Sequence, residues 1–200
     1  MENEKAVDEQ KMREYLGVLD VIKDTVKVEN KAKVCLKNHM LRTLAGYTSE
    51  STEDNFNVYI KDYMDKLSYD EHNRKVTEAK KDNDNARLQQ LSNEVMGMAG
   101  YINNEQQTSN RRVNRYAKSF VDRTLLDRKF VKLYGAIESG EEATINQAYR
   151  EIYSMTSYSK NQPYGVVNDY AQTFVDSEID KFIERGIHVP NSIQERQYAI

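Results

Sequence analysis

Residues 113–122 have the sequence VNRYAKSFVD and recur as VNDYAQTFVD at residues 167–176. Seven of the ten positions are identical at an offset of 54 residues. A third copy, FNVYIKDYMD at residues 56–65, keeps the asparagine, the first tyrosine and the final aspartate. Self-similarity at a fixed spacing is typical of folds built from tandem structural units, so we interpret the rest of the chain from this repeat.

The similarity extends well beyond these ten residues. At an offset of 57, residues 57–105 share 13 identities in 49 positions with residues 114–162, whereas average composition alone gives about three or four. Residues 32–47 align in the same way with residues 86–101 and share the tripeptide Ala-Gly-Tyr. The sequence therefore predicts about 3.5 copies of a repeat of about 55 residues. The copies span about 1–52, 53–109, 110–163 and 164–187.

Each copy is predicted to contain two helices joined by a turn. In the first helix, apolar residues recur at i, i+3, i+4, i+7 and i+8, which is one face of an α-helix. In the second, the 3-4-3 spacing is typical of a helix that packs lengthwise on its neighbours. The predicted buried residues of the first helices include Tyr59, Ile60, Met64, Leu67, Tyr116, Ala117, Phe120, Val121, Tyr170, Ala171, Phe174, Val175, Phe182 and Ile183. Those of the second helices are Leu88, Leu91, Val95, Met98, Ile145, Ala148, Ile152 and Met155.

The fold class that follows is all-α, with about seven antiparallel helices arranged as a bundle or a short α-solenoid. We expect one helical-repeat domain over residues 1–187 and an extended tail over residues 188–200, which contains Pro190 and has no helical periodicity. The predicted helices are at about 4–26, 31–46, 55–78, 85–101, 112–136, 142–158 and 167–185.

Composition excludes several classes of protein. Pro163 and Pro190 are the only prolines, which argues against an all-β sandwich or barrel with proline-rich turns. Charged residues make up 30% of the chain and the net charge is −3, so no global charge favours nucleic acid or anionic lipid. No apolar stretch is long enough for a membrane span. A single cysteine, Cys35, and no recognisable secretory signal at the N-terminus predict a cytoplasmic protein, or a virion protein if the source is viral.

No motif predicts a metal, a cofactor or an enzymatic reaction. The three histidines, His39, His72 and His188, stand in no zinc or di-metal pattern. Cys35 and His39 are four residues apart on one predicted helix, but two ligands are too few for a metal site. We therefore expect a non-enzymatic protein without cofactors. An enzyme with a site assembled from scattered acidic, basic and tyrosine residues stays as an alternative.

The repeated polar residues have two interpretations. Asp65, Asp122 and Asp176 end the three copies of the ten-residue motif. They form either a row of carboxylates that binds a cation or a basic partner, or internal hydrogen-bond acceptors for Tyr, Asn or Lys of the adjoining copy. The repeated asparagines Asn57, Asn114 and Asn168 stand at predicted helix starts, where they can cap free backbone N–H groups.

A basic segment and the tail are the other candidate interaction sites. Residues 111–132 contain eight basic and two acidic residues, whereas the last predicted helix is acidic. The basic segment is a solvated face, a partner for an acidic helix, or a phosphate-binding surface. Tyrosines outside the apolar faces, such as Tyr153 and Tyr198, are candidates for contact with another protein. The candidate interaction residues are Arg111, Arg112, Arg115, Lys118, Asp65, Asp122, Asp176, Tyr198 and Ile200.

The sequence thus favours a structural or scaffolding protein that acts through protein–protein contacts in a homo-oligomeric assembly. Connector, ring or accessory subunits of virus particles are one class with this profile, because they are short, helical and poor in cysteine. The alternative is an α-helical regulator or inhibitor that uses the basic 111–132 segment to bind nucleic acid or an acidic protein. Nucleic acid is the less favoured partner, and no membrane contact is expected.

Overall fold

The computed structural model describes residues 31–47, 58–101, 113–160, 162 and 165–190. Within these residues the protein is all-helical, as the sequence predicts, and contains no strand. The seven helices of this part of the chain are α1 (Lys31–Leu44), α2 (Val58–Lys81), α3 (Asn85–Met98), α4 (Arg115–Ser139), α5 (Glu142–Tyr153), α6 (Asp169–Ser177) and α7 (Ile179–Glu184). None of the helices described is both long enough and apolar enough to cross a bilayer.

The chain divides into two compact units, residues 1–68 and residues 69–200, and the boundary falls inside α2. In the first unit, α1 and the start of α2 form a small apolar cluster. Its buried members are Leu41, Ala45, Ile60 and Met64. A single domain over residues 1–187, and the repeat origin of the helices, stay predictions.

In the second unit, α4 lies at the centre of the packing and contacts α3, α5 and α6. The start of α4 packs on the end of α3 through Ala117 and Val121, while its later turns pack on α5 through Leu126 and Leu133. Most of the apolar positions predicted for α3 and α5 are confirmed, because Leu91, Val95, Ile145, Ala148 and Ile152 are buried, whereas Leu88 and Met98 are half-buried. Burial of a valine, leucine or isoleucine side chain stabilises a fold by about 1.5–3 kcal/mol.

The apolar face predicted for the first helix of each copy is partly wrong. Its buried edge consists of pairs four residues apart, Ala117 with Val121 and Ala171 with Val175. Of the positions just before them, Phe120, which is 49% exposed, and Tyr170 are exposed, whereas Tyr116 and Phe174 are half-buried. The sequence predicted too wide a buried face because periodicity counts every apolar residue within a broad arc, whereas the neighbouring helices cover only part of it. The other predicted core residues that are exposed are Tyr59, Leu67 and Ile183.

The single helix predicted over 167–185 is interrupted at Glu178, where φ is −119°. Eight residues of continuous α-helix span about 12 Å along its axis, yet the ring centroids of Phe174 and Phe182 are 6.0 Å apart. The break therefore brings both rings into one cluster, where Phe182 is fully buried and also packs edge-on against Tyr149. Burial of an aromatic ring offsets the loss of helical hydrogen bonds at one position.

Helix starts and ends follow local chemistry. Asn114 accepts from the backbone N–H groups of residues 116 and 117, and Asn168 accepts from that of residue 171, so the capping predicted for both is confirmed. Gly46 and Gly100 have φ of +78° and +81°, which is the left-handed conformation predicted for these helix ends. The helix predicted over 142–158 already ends at Tyr153. The hydroxyls of Ser154 and Thr156, which follow it, donate to the backbone carbonyls of Glu151 and Tyr153.

Backbone hydrogen bonds join consecutive helices in the second unit. The N–H of Asn114 donates to the carbonyl of Met98 at 2.8 Å, and the N–H of Asn168 donates to that of Met155 at 2.9 Å. Each bond ties the start of one helix to the C-terminal end of the helix before it in the chain. The described part of the predicted tail is non-helical and its Val189 and Pro190 are buried. The predicted helix at 4–26, the asparagine at position 57 and residues 191–200 lie outside the described residues.

Candidate interaction surface

Two of the three repeated aspartates are fully buried. Asp65 and Asp122 have no exposed surface, whereas Asp176 is exposed. A carboxylate without exposed surface contacts its own chain, and in this structure Lys61 donates to Asp65 at 2.5 Å across one helical turn. The three carboxylates therefore do not form one accessible row in this structure.

Asp122 is the centre of a polar network between helices. The Tyr101 hydroxyl donates to Oδ1 of Asp122 at 2.5 Å, and the Lys118 ammonium donates to Oδ2 at 2.5 Å. The backbone N–H of Asp169 also donates to Oδ2, at 2.9 Å. The side-chain amide of Asn168 completes the network by donating to the Asp122 backbone carbonyl at 2.8 Å. These contacts connect the end of α3, the start of α4 and the start of α6.

The network shifts the ionisation of the groups within it. Burial, together with the hydrogen bond to Asp122, raises the pKa of the Tyr101 hydroxyl far above its usual range. The tyrosine is therefore a proton donor at every ordinary pH, and the carboxylate is its acceptor. A second pair of the same kind joins the Tyr158 hydroxyl to Asp176, which also accepts from the side-chain amide of Gln172 at 3.2 Å.

The basic segment of α4 forms ion pairs within the chain. Lys118 lies 2.9 Å from Asp169 in addition to its contact with Asp122. Lys129 and Lys132 lie 2.8 and 3.4 Å from the same carboxylate oxygen of Glu151 on α5. These contacts, the hydrogen bond from Lys129 first, lower the pKa of Glu151. Much of the positive charge that the sequence shows on α4 is thus compensated by acidic side chains of neighbouring helices.

The other predicted interaction residues have separate locations. Arg115 is exposed at the start of α4, with its guanidinium 4.9 Å from the centroid of the Tyr116 ring. Tyr153 contacts its own chain, because its hydroxyl donates to the backbone carbonyl of His188 at 2.7 Å. Four predicted residues lie outside the described residues, namely Arg111, Arg112, Tyr198 and Ile200.

An exposed apolar surface follows the C-terminal half of α4. Val131 is 74% exposed, Tyr134 is 60% exposed and Ile137 is 47% exposed. Tyr134 also lies beside the ring of Phe130, with 6.0 Å between centroids. The sequence reasoning missed this surface because it considered apolar residues only as candidate core. The signal in the sequence was a second apolar series on α4, formed by Val131, Tyr134 and Ile137, which lies apart from the buried residues Leu126, Leu133 and Ala136.

No group of three or more potential metal ligands occurs among the described residues. His39 is exposed on α1, and the side chain of Cys35 is outside the described set. His72 is buried, and its Nδ1 has no hydrogen-bond partner within the described part of the chain. Burial lowers the pKa of His72, and Lys75 lowers it further, while Glu94 opposes the shift.

Comparison of the chain with protein-family models, with curated proteins and with solved structures gives no match.

Proposed function

We propose that this protein is a non-enzymatic structural subunit that acts through protein–protein contacts in a homo-oligomeric assembly. The observation that carries the proposal is the exposed apolar surface of α4, formed by Val131, Tyr134 and Ile137. Single exposed apolar residues are common on protein surfaces, but three within two helical turns are the kind of patch that marks a contact site. Tyr is also enriched in the cores of protein interfaces.

The contacts of the basic residues support this proposal over the nucleic-acid alternative. A helix that binds phosphates needs free cationic side chains, because each neutralised phosphate releases counterions and adds affinity. Three of the lysines on α4 already lie within 3.4 Å of acidic groups of their own chain. Arg115, Arg123 and Arg128 are exposed, and a regulator that binds nucleic acid would act mainly through these three arginines and others outside the described residues.

The proposal is tested by the mass of the protein in solution. We expect the mass measured by sedimentation or light scattering to rise with protein concentration above that of one 23.3 kDa chain. The double variant Val131→Ser/Tyr134→Ser should remain monomeric because it removes the apolar area of the surface. Ile183→Ser is the matched control, since Ile183 on α7 is 45% exposed and lies outside this surface. It should assemble as the natural chain does.

Two results would contradict the proposal. One is a monomer at every accessible concentration, and the other is an assembly that the double variant leaves unchanged. Rings of virus particles are one form of such an assembly, and electron microscopy of the assembled fraction would reveal a closed ring. The nucleic-acid alternative predicts instead a binding affinity that falls steeply with salt and is weakened by Arg115→Glu.

A further inference from the structure

Five residues of α4 share one exposed side of the helix, which we call the pairing face. They are Arg128, Val131, Tyr134, Gly135 and Glu138. Their spacing of i, i+3, i+6, i+7 and i+10 keeps them on one side over three turns. All five are exposed. Apolar groups occupy the middle of the pairing face, with Arg128 before them and Glu138 after them. Asp127, which is exposed on the same side beside Arg128, lies 4.0 Å from Arg123 within α4 and forms an ion pair with it.

Gly135 is unusual at the middle of a long helix. Glycine is unfavourable there because it loses more conformational entropy than alanine on folding. A Cβ atom built at Gly135 would meet nothing within 4 Å, so no close contact in the described part of the chain requires the absence of a side chain. A glycine on an exposed apolar face does allow the backbone of a second helix, or a branched side chain from it, to approach closely.

The two charged residues of the pairing face form no ion pair among the described residues, although several of the other basic groups on α4 do. Arg128 and Glu138 lie symmetrically about position 133, five residues on either side of it. Val131 and Gly135 lie symmetrically about the same position, two residues on either side. This shared midpoint matches the requirement of a two-fold axis, which pairs each residue with the one on the opposite side of the midpoint.

We propose that the partner of this surface is α4 of a second copy of the chain, packed antiparallel about a two-fold axis beside position 133. This inference rests on the proposed function, because it names the partner within a homo-oligomer. The antiparallel arrangement places Arg128 of each copy at the level of Glu138 of the other. It also places the Val131 side chain at the level of the other copy's Gly135, where there is space for it.

A parallel arrangement would bring equivalent charges together. Each Arg128 would then face the other Arg128, and each Glu138 the other Glu138. Like charges juxtaposed in an interface oppose association, whereas complementary charges fix its orientation and register. The charge order along the pairing face therefore selects the antiparallel arrangement.

The test is a charge-reversal series in the full chain, with the dissociation constant measured by analytical ultracentrifugation. Arg128→Glu and Glu138→Arg should each raise the dissociation constant by about tenfold or more, because the two-fold axis turns one substitution into two like-charge contacts. The double variant Arg128→Glu/Glu138→Arg restores both pairs in reversed order and should return to within about threefold of the natural value. Arg150→Glu is the control, since Arg150 is an exposed arginine on α5, outside the pairing face. Circular dichroism should show the same helix content for every variant.

Each outcome decides between the two proposals. Self-association that neither single reversal weakens would overturn the antiparallel α4 pairing and leave the proposed function standing. Single reversals that weaken association without rescue by the double variant would also overturn the pairing, because Arg128 and Glu138 would then have other partners. A natural chain that stays monomeric would overturn both. Weakening by each single reversal, with rescue by the double variant, would support both.

Discussion

Substitution of Asp122 by alanine is the sharpest test of how the second unit is stabilised. The change leaves three donors without their acceptor, namely the Tyr101 hydroxyl, the Lys118 ammonium and the Asp169 backbone N–H. Removal of one partner from a fully buried ion pair costs about 3–5 kcal/mol. Lys118 keeps 19% of its side chain exposed and retains Asp169 as a partner, so we expect the lower end, about 3 kcal/mol.

Asp176 provides the matched control for this prediction. It accepts from the Tyr158 hydroxyl as Asp122 accepts from Tyr101, but Asp176 is exposed, so its carboxylate keeps contact with water in the folded chain. Asp176→Ala should therefore cost less than about 1 kcal/mol. Urea denaturation followed by circular dichroism measures both free energies of unfolding. Equal losses in the two variants, or a loss below about 1 kcal/mol for Asp122→Ala, would refute the reasoning that burial of this carboxylate sets its contribution.

Three further predictions test other parts of the fold. The free energy of unfolding should fall as pH drops below the ordinary histidine pKa of about 6.5, because the lowered pKa of buried His72 means that the unfolded chain binds the proton more readily. His72→Gln should remove this part of the pH dependence, and an identical pH profile in the variant would contradict the assignment. Asn168→Ala should cost about 1–2 kcal/mol of unfolding free energy, because buried Asn168 caps α6 and also donates to the Asp122 backbone carbonyl. Asp84→Ala should cost less, because the bond that Asp84 accepts from the N–H of residue 87 is exposed. Urea denaturation compares the two variants, and equal losses would contradict this order. Gly135→Ala should raise the unfolding free energy of the monomer by about 0.5–1 kcal/mol, because the added Cβ meets nothing within 4 Å and alanine is the better helix former. A lower free energy of unfolding, measured by urea denaturation at monomeric concentrations, would show that the position is constrained within the chain.

Much of the local structure was predictable from the sequence. The capping of α4 by Asn114 and the left-handed glycine at position 100 were predicted, because both depend on a few neighbouring residues. The break at Glu178 was not. It depends on the packing of Phe182 with Phe174 and Tyr149, and such contacts between distant residues leave no trace in helical periodicity.

The candidate surface was less predictable than the fold. Residues such as Lys118 and Lys129 look like free positive charge in the sequence, and only the structure shows Asp122, Asp169 and Glu151 beside them. Conversely, Val131 reads as one more apolar helix residue until the neighbouring helices are placed and leave it 74% exposed. Charge and hydropathy give the type of contact that a residue prefers, whereas the arrangement of helices decides whether that contact is made inside the chain or outside it.

The backbone bonds from Asn114 to Met98 and from Asn168 to Met155 have a consequence for how this chain tolerates insertions. Sixteen positions separate the first pair and thirteen separate the second, yet both junctions are closed by the same donor and acceptor groups. Since the anchor points are main-chain atoms on either side of the connecting segment, its length can change by three residues without moving the tyrosine and aspartate that meet across the junction. Deletions or added residues in these connections should therefore be far better accepted than any shift within the helices themselves.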